Sequence, residues 1–241
     1  MERKTLGVIG GLGPMATAYF MELVTTMTDA PRDQEHLPML VASAPYIPDR
    51  TAHILDSREP DPTPVMEQVG HTLLTAGAEV LAIPCITAHH FLPRLESALQ
   101  AEFVNGVEKT VLHLKEHGVE KVGILATDGT VRSKLLHKAL EKEGLLPVVP
   151  SESAQKDVMH LVYHNIKAGK PAEMDRFYNA AESLINQGAQ VSILGCTELP
   201  LLKKVRPLGP GFIDTLEVLA QQSILACGCK LKQEYLHLIT K

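Results

Sequence analysis

Two stretches of this chain read as copies of one another. Gly77-Ala78-Glu79-Val80-Leu81-Ala82-Ile83-Pro84-Cys85 aligns with Gly188-Ala189-Gln190-Val191-Ser192-Ile193-Leu194-Gly195-Cys196, and the glycines and the cysteines share one offset of 111 residues (188 − 77 and 196 − 85). Further upstream, Gly7-Val8-Ile9-Gly10 matches Gly123-Ile124-Leu125-Ala126 at an offset of 116 (123 − 7). A period of about half the 241-residue chain, present in two copies, points to paired lobes rather than a solenoid. Each copy ends an apolar run of strand length on a cysteine.

Similar apolar runs, each followed by a longer segment with helical spacing, occur at residues 6–9, 39–42, 80–83, 121–126 and 191–194, with a weaker one at 147–149. This alternation predicts an α/β fold of two pseudo-symmetric lobes, each a parallel sheet flanked by helices. The expected boundaries are 1–105 with about 215–241 for the N-terminal lobe and 106–214 for the C-terminal lobe. Ligands of open α/β sheets bind beyond the carboxyl ends of the strands, so facing lobes would put both cysteines in one interlobe cleft.

Cys85 runs into a helix-like segment expected to begin near Thr87, and Cys196 occupies the equivalent place. A helix N-terminus favours a thiolate, because its unpaired N–H groups and dipole stabilise negative charge. Two thiols on opposite faces of a substrate suit stereoinversion at a carbon acid: one as thiolate removes the proton, the other as thiol returns one from the far side. A metal pair is disfavoured, since neither half contains a Cys-x-x-Cys pair, and a nucleophilic Cys-His dyad would not require the second cysteine. His89 and His90 are candidate bases or structural histidines. Cys227 and Cys229 have no partner in the repeat and are assigned no role.

The net charge of −5 and the lack of a basic run argue against nucleic acid. No run of 18 apolar residues suggests a membrane span, and Met1-Glu2-Arg3-Lys4 does not lead into a signal-peptide core. The expectation is a cytoplasmic protein with free thiols.

Gly10-Gly11-Leu12-Gly13-Pro14 places glycines before a proline-initiated helix, a geometry in which backbone N–H groups can approach a carboxylate. Residues 11–16 also fit a dinucleotide-binding G-x-G-x-x-G/A pattern. The acidic ribose ligand is missing, however, because the second strand runs into Ala42-Ser43-Ala44-Pro45.

Taken with Gly10-Gly11-Leu12-Gly13-Pro14-Met15-Ala16-Thr17, Ile47-Pro48-Asp49-Arg50-Thr51, the Cys85 segment and Leu194-Gly195-Cys196-Thr197-Glu198-Leu199-Pro200, the chain resembles the aspartate/glutamate racemase superfamily, nearest its aspartate racemase branch. The resemblance implies racemisation of an acidic amino acid by Cys85 and Cys196, with neither pyridoxal phosphate nor metal, and a homodimer. It further implies that Gly11, Gly13 and Met15 of the glycine loop, with Thr87, Thr127, Thr130 and Thr197, hold the α-carboxylate. Arg50, assisted by Lys167, would hold the distal carboxylate by bidentate pairing. Two positions depart from the pattern: Ile86 stands where the family commonly has Asn, and Ala44-Pro45 lies in a stretch where relatives often carry Asn. An aliphatic chain at 86 removes a charge-assisted hydrogen bond worth about 1.5–3 kcal/mol. Hydantoin racemisation, maleate isomerisation, decarboxylation and non-catalytic binding of a small carboxylate are therefore the alternative functions.

Overall fold

The computed structural model describes residues 3–241; Met1 and Glu2, which begin the segment read above for a signal peptide, lie outside it. The first half forms β1 (Leu6–Gly10), α1 (Pro14–Met27), β2 (Met39–Ser43), α2 (Arg50–Leu55), α3 (Thr63–Thr75), β3 (Val80–Ala82), α4 (Leu92–Leu99) and β4 (Glu102–Phe103). After α5 (Gly106–Glu116) the second half forms β5 (Lys121–Leu125), α6 (Asp128–Arg132), α7 (Leu135–Lys142), β6 (Leu146–Val148), α8 (Glu152–His160), α9 (Met174–Ile185), β7 (Val191–Leu194), β8 (Phe212–Asp214) and α10 (Thr215–Ala226). The two sheets are entirely parallel and have the same topology, β2-β1-β3-β4 and β6-β5-β7-β8.

The alternating faces of the central strands explain why they read as continuous apolar runs. Leu6, Val8, Val80 and Ala82 of the first sheet, and Val122, Ile124, Val191 and Ile193 of the second, belong to one core between the sheets, filled by α1, α5, α7 and α10. The intervening residues face outward. Ile9, Leu81 and Ile83 pack with residues of α3 and α4, whereas Leu125 and Leu194 pack with residues of α8 and α9. Parallel strands covered on both faces have no polar side to display. The glycines that open the cysteine repeats follow α3 and α9. Gly77 (φ 101°) and Gly188 (φ 84°) adopt the left-handed conformation that ends a helix, which side chains with a Cβ avoid.

The C-terminal helix α10 packs on α1 and α5 and touches β3, so it lies against elements of the first sheet although it follows the last strand of the second. Two strands escaped the sequence reading, β4 and β8. β4 has only two residues and β8 only three, with Asp214 at its end, so neither offers a periodic run. A further difference concerns the segment after Cys85. Residues 86–91 form a 3-10 turn, and the α-helix begins only at Leu92. No helix is long and apolar enough to cross a membrane among the described residues.

Candidate active site

In each sheet the chain crosses from one side of the central strand to the other, and the crevice at this reversal is where α/β folds bind ligands. The turns leaving β1, β3, β5 and β7 meet there. They enclose a narrow cavity of about 10 Å³, room for about one water, lined by Leu12, Asp49, Arg50, Thr51, Cys85, Ile86, Thr87, Thr127, Tyr163, Lys167, Cys196, Thr197 and Glu198. Both cysteines contribute to this one wall-to-wall space, and each is 5 % exposed.

Cross-lobe contacts close the cavity. Asp49 caps α2 by accepting the Ala52 N–H at 2.9 Å, and its other oxygen receives the Tyr163 hydroxyl at 3.4 Å. Thr51 of α2 donates to Thr127 at 3.2 Å, while Thr87 lies 3.2 Å from Thr127 and 2.9 Å from Thr130, giving a buried hydroxyl cluster that spans both lobes. Tyr163 and Lys167 come from a segment wound as a π-helix (Leu161–Ile166). Lys167 Nζ stands 4.3 Å from the centroid of the Tyr163 ring and 3.9 Å from Asp49. A π-helical turn is a rare element, frequent at functional sites.

The two thiols have unlike company. Arg50 is 8 % exposed; Nη1 donates to the Pro48 and Ile47 carbonyls at 3.0 and 3.4 Å, and Nη2 donates to Leu12 O at 3.1 Å. Burial opposes its charge, but Cys85, Asp49 and Glu198 outweigh that, so the guanidinium pKa is raised. Cys196 donates its S–H to Glu198 Oε2 at 2.9 Å. Burial, and then the negative charge of Glu198, push the Cys196 thiol up, with Lys167 pulling the other way. The expectation of a helix terminus favouring thiolate is thus corrected at Cys196. A 3-10 turn follows Cys85, and Cys196 is a protonation-favouring environment owing to desolvation and a neighbouring carboxylate.

His89 is no base. The Gly106 N–H donates to its Nε2 at 3.1 Å, which fixes the proton on Nδ1, and Nδ1–H donates to the Cys85 carbonyl at 3.0 Å. Both ring nitrogens are occupied, and burial lowers the pKa, so the ring is a neutral strut behind Cys85. Of the glycine loop, Leu12 lines the cavity. Gly11 (φ 90°) leaves no room for a Cβ, which would clash with the backbone of Ala44 and Pro45, and its N–H donates to Thr17 Oγ1 at 2.8 Å. Met15 is 64 % exposed and lies outside the cavity lining; Thr130 supports Thr87 from behind. Ile86, 1 % exposed, gives the cavity an aliphatic wall. Sequence reasoning did not single out Glu198, Asp49, Thr51 or Tyr163. Glu198 stood two residues past the repeated cysteine, and Tyr163 stands four before Lys167, on the same helical face. Among the described residues no group of three or more His, Cys, Asp or Glu side chains has metal-binding geometry.

The chain belongs to the Asp/Glu/hydantoin racemase family, whose profile matches residues 9–223. Its class is therefore that of the racemases, isomerases by reaction type. It is 25% identical over 226 residues to the broad specificity amino-acid racemase RacX of Bacillus subtilis (strain 168), spanning 91% of this chain and 96% of that protein. Its structure is similar to Picrophilus torridus aspartate racemase, with a TM-score of 0.82, 29% identity, and coverage of 96% of this chain and 97% of the other. Glutamate racemase from Francisella tularensis subsp. tularensis SCHU S4, solved in complex with D-glutamate, shares the fold at a TM-score of 0.67 and 13% identity, over 94% of this chain and 81% of that one.

Proposed function

We propose that this protein racemises an acidic amino acid, aspartate or glutamate, by passing protons between the α-carbon and the thiols of Cys85 and Cys196. The observation that carries the reading is that the duplicated cysteines, 111 residues apart (196 − 85), line a single small buried cavity. A thiolate on one side removes the α-proton, and the thiol on the other delivers its own to the opposite face. The two sulfurs then have exchanged roles, ready for the reverse reaction. Arg50 lies beside Cys85, and Glu198 holds the Cys196 thiol as donor. Arg50 and Lys167 supply two cationic groups for the two carboxylates of the substrate, and the threonines supply neutral donors. Neither pyridoxal phosphate nor a metal has a step in this scheme, and we propose that the protein acts in the cytoplasm as a homodimer.

The reading is tested by incubating the protein with each enantiomer of aspartate and glutamate in deuterated water. Inversion with one α-deuterium per turnover, lost in both Cys85→Ser and Cys196→Ser, is the expected result. Binding of every enantiomer without inversion or exchange would contradict it. A second reading, racemisation of a cyclic amide such as a hydantoin, is favoured by the aliphatic wall that Ile86 and Leu12 give the cavity. The same assay with hydantoins decides between them.

A further inference from the structure

Two side chains lining the cavity carry a buried polar atom with no hydrogen-bond partner in the protein, and they are of opposite character: Arg50 Nε, a donor, and Glu198 Oε1, an acceptor. Unpaired buried polar atoms are costly, and a charged one more so, so each calls for a partner that arrives from elsewhere. Glu198 is 5 % exposed. Its other oxygen, Oε2, is engaged by the Cys196 thiol at 2.9 Å. The open oxygen faces the glycine loop, where a Cβ added at Gly13 would lie 3.1 Å from it. A side chain at 13 would crowd that oxygen.

We propose that Glu198 anchors the substrate's ammonium group: Oε1 accepts from the nitrogen while Oε2 keeps the Cys196 thiol in place, so the cavity selects primary α-amino acids over counterparts without a basic nitrogen. The connectivity of an amino acid supports this pairing. Its nitrogen is bonded to the same carbon that Cys196 must reach, so one carboxylate can hold the thiol and the ammonium at once. The inference rests on the amino-acid reading above and narrows it. Hydantoins, maleate and arylmalonates present no ammonium and would leave Oε1 unpaired.

The test uses wild-type protein and Glu198→Gln, with L-aspartate, L-glutamate and their des-amino counterparts succinate and glutarate as ligands. Binding is followed by calorimetry, so that lost turnover in the variant does not hide it. Wild-type protein is expected to bind an amino acid it exchanges about 10- to 100-fold more tightly than the matching dicarboxylate, the span of one hydrogen bond to a charged group. Glu198→Gln, which keeps the shape but not the charge, is expected to erase most of that preference while changing dicarboxylate affinity by less than about 3-fold. Equal affinity of wild-type protein for amino acid and dicarboxylate, or an equal loss for both in Glu198→Gln, would overturn the anchor while leaving racemisation standing. Failure of wild-type protein to exchange any amino acid would instead remove the parent reading and this inference with it.

Discussion

The two halves of the site descend from one repeated pattern, yet they differ in the charge beside the sulfur. Cys85, after β3, faces the guanidinium of Arg50 and is backed by the neutral ring of His89. Cys196, after β7, donates a hydrogen bond from its S–H to Glu198, and the end of its strand is held by the Thr215 hydroxyl, which donates to Leu194 O at 2.7 Å. Duplication therefore supplied matching positions for two thiols, and divergence around them supplied unlike neighbours, a guanidinium at one and a carboxylate at the other. The proposed two-base reaction would use equivalent reach to one carbon from both sulfurs.

The largest break in this comparison is removal of either sulfur. Cys85→Ser and Cys196→Ser should each lower the racemisation rate at least about 10³-fold, within the range of general acid–base contributions, as read by polarimetry or chiral chromatography. Arg50→Ala removes the cation from the first half only. It should reduce kcat/KM by about 10- to 100-fold, with Arg50→Lys recovering part of the loss, because Lys restores the charge but not the fork that grips three carbonyls.

The second half can be broken through its carboxylate. Glu198→Gln removes the charge that, after burial, raises the Cys196 thiol. Alkylation of Cys196 by iodoacetamide, followed by peptide mass spectrometry, should begin at a lower pH in the variant than in wild-type protein. An onset that does not move, or moves upward, would show that Glu198 does not govern this thiol.

Smaller effects distinguish the supports. His89→Ala empties a buried position and frees the Cys85 carbonyl and the Gly106 N–H, for an expected loss of about 3 kcal/mol and roughly 6–12 °C in Tm. Burial lowers the His89 pKa, so the folded form holds the ring neutral while the unfolded chain takes up a proton near pH 6.5. Its stability contribution is complete above that pH and is lost as pH falls below it. His113, pushed down to about 4 by burial and then by His117 and His237, adds to the same acid slope. His89→Gln should accordingly flatten the wild-type decline only in part, as measured by Tm against pH. Thr215→Val, on the other side, should cost only about 1 kcal/mol, since a single hydroxyl bond is removed with little change of volume.

Much of this architecture was legible in the chain. Buried parallel strands display themselves as apolar runs, and the repeat carried the pairing of Cys85 with Cys196. What escaped was set by contacts between distant segments. β4 and β8 are too short for a period to register. Glu198 and Asp49 look like surface acids until the fold buries one against a thiol and turns the other into a helix cap that meets Tyr163. The tautomer of His89 depends on the amide of Gly106, 17 residues away, which no local pattern encodes.

The most direct measurement of the central claim is α-deuterium exchange without inversion in the two single-cysteine variants, scored separately for each enantiomer of aspartate and glutamate. If the two thiols address one carbon from opposite faces, each variant should exchange only one enantiomer, and the two variants should choose opposite ones. Exchange of the same enantiomer by both variants, or of both enantiomers by either, would contradict the account.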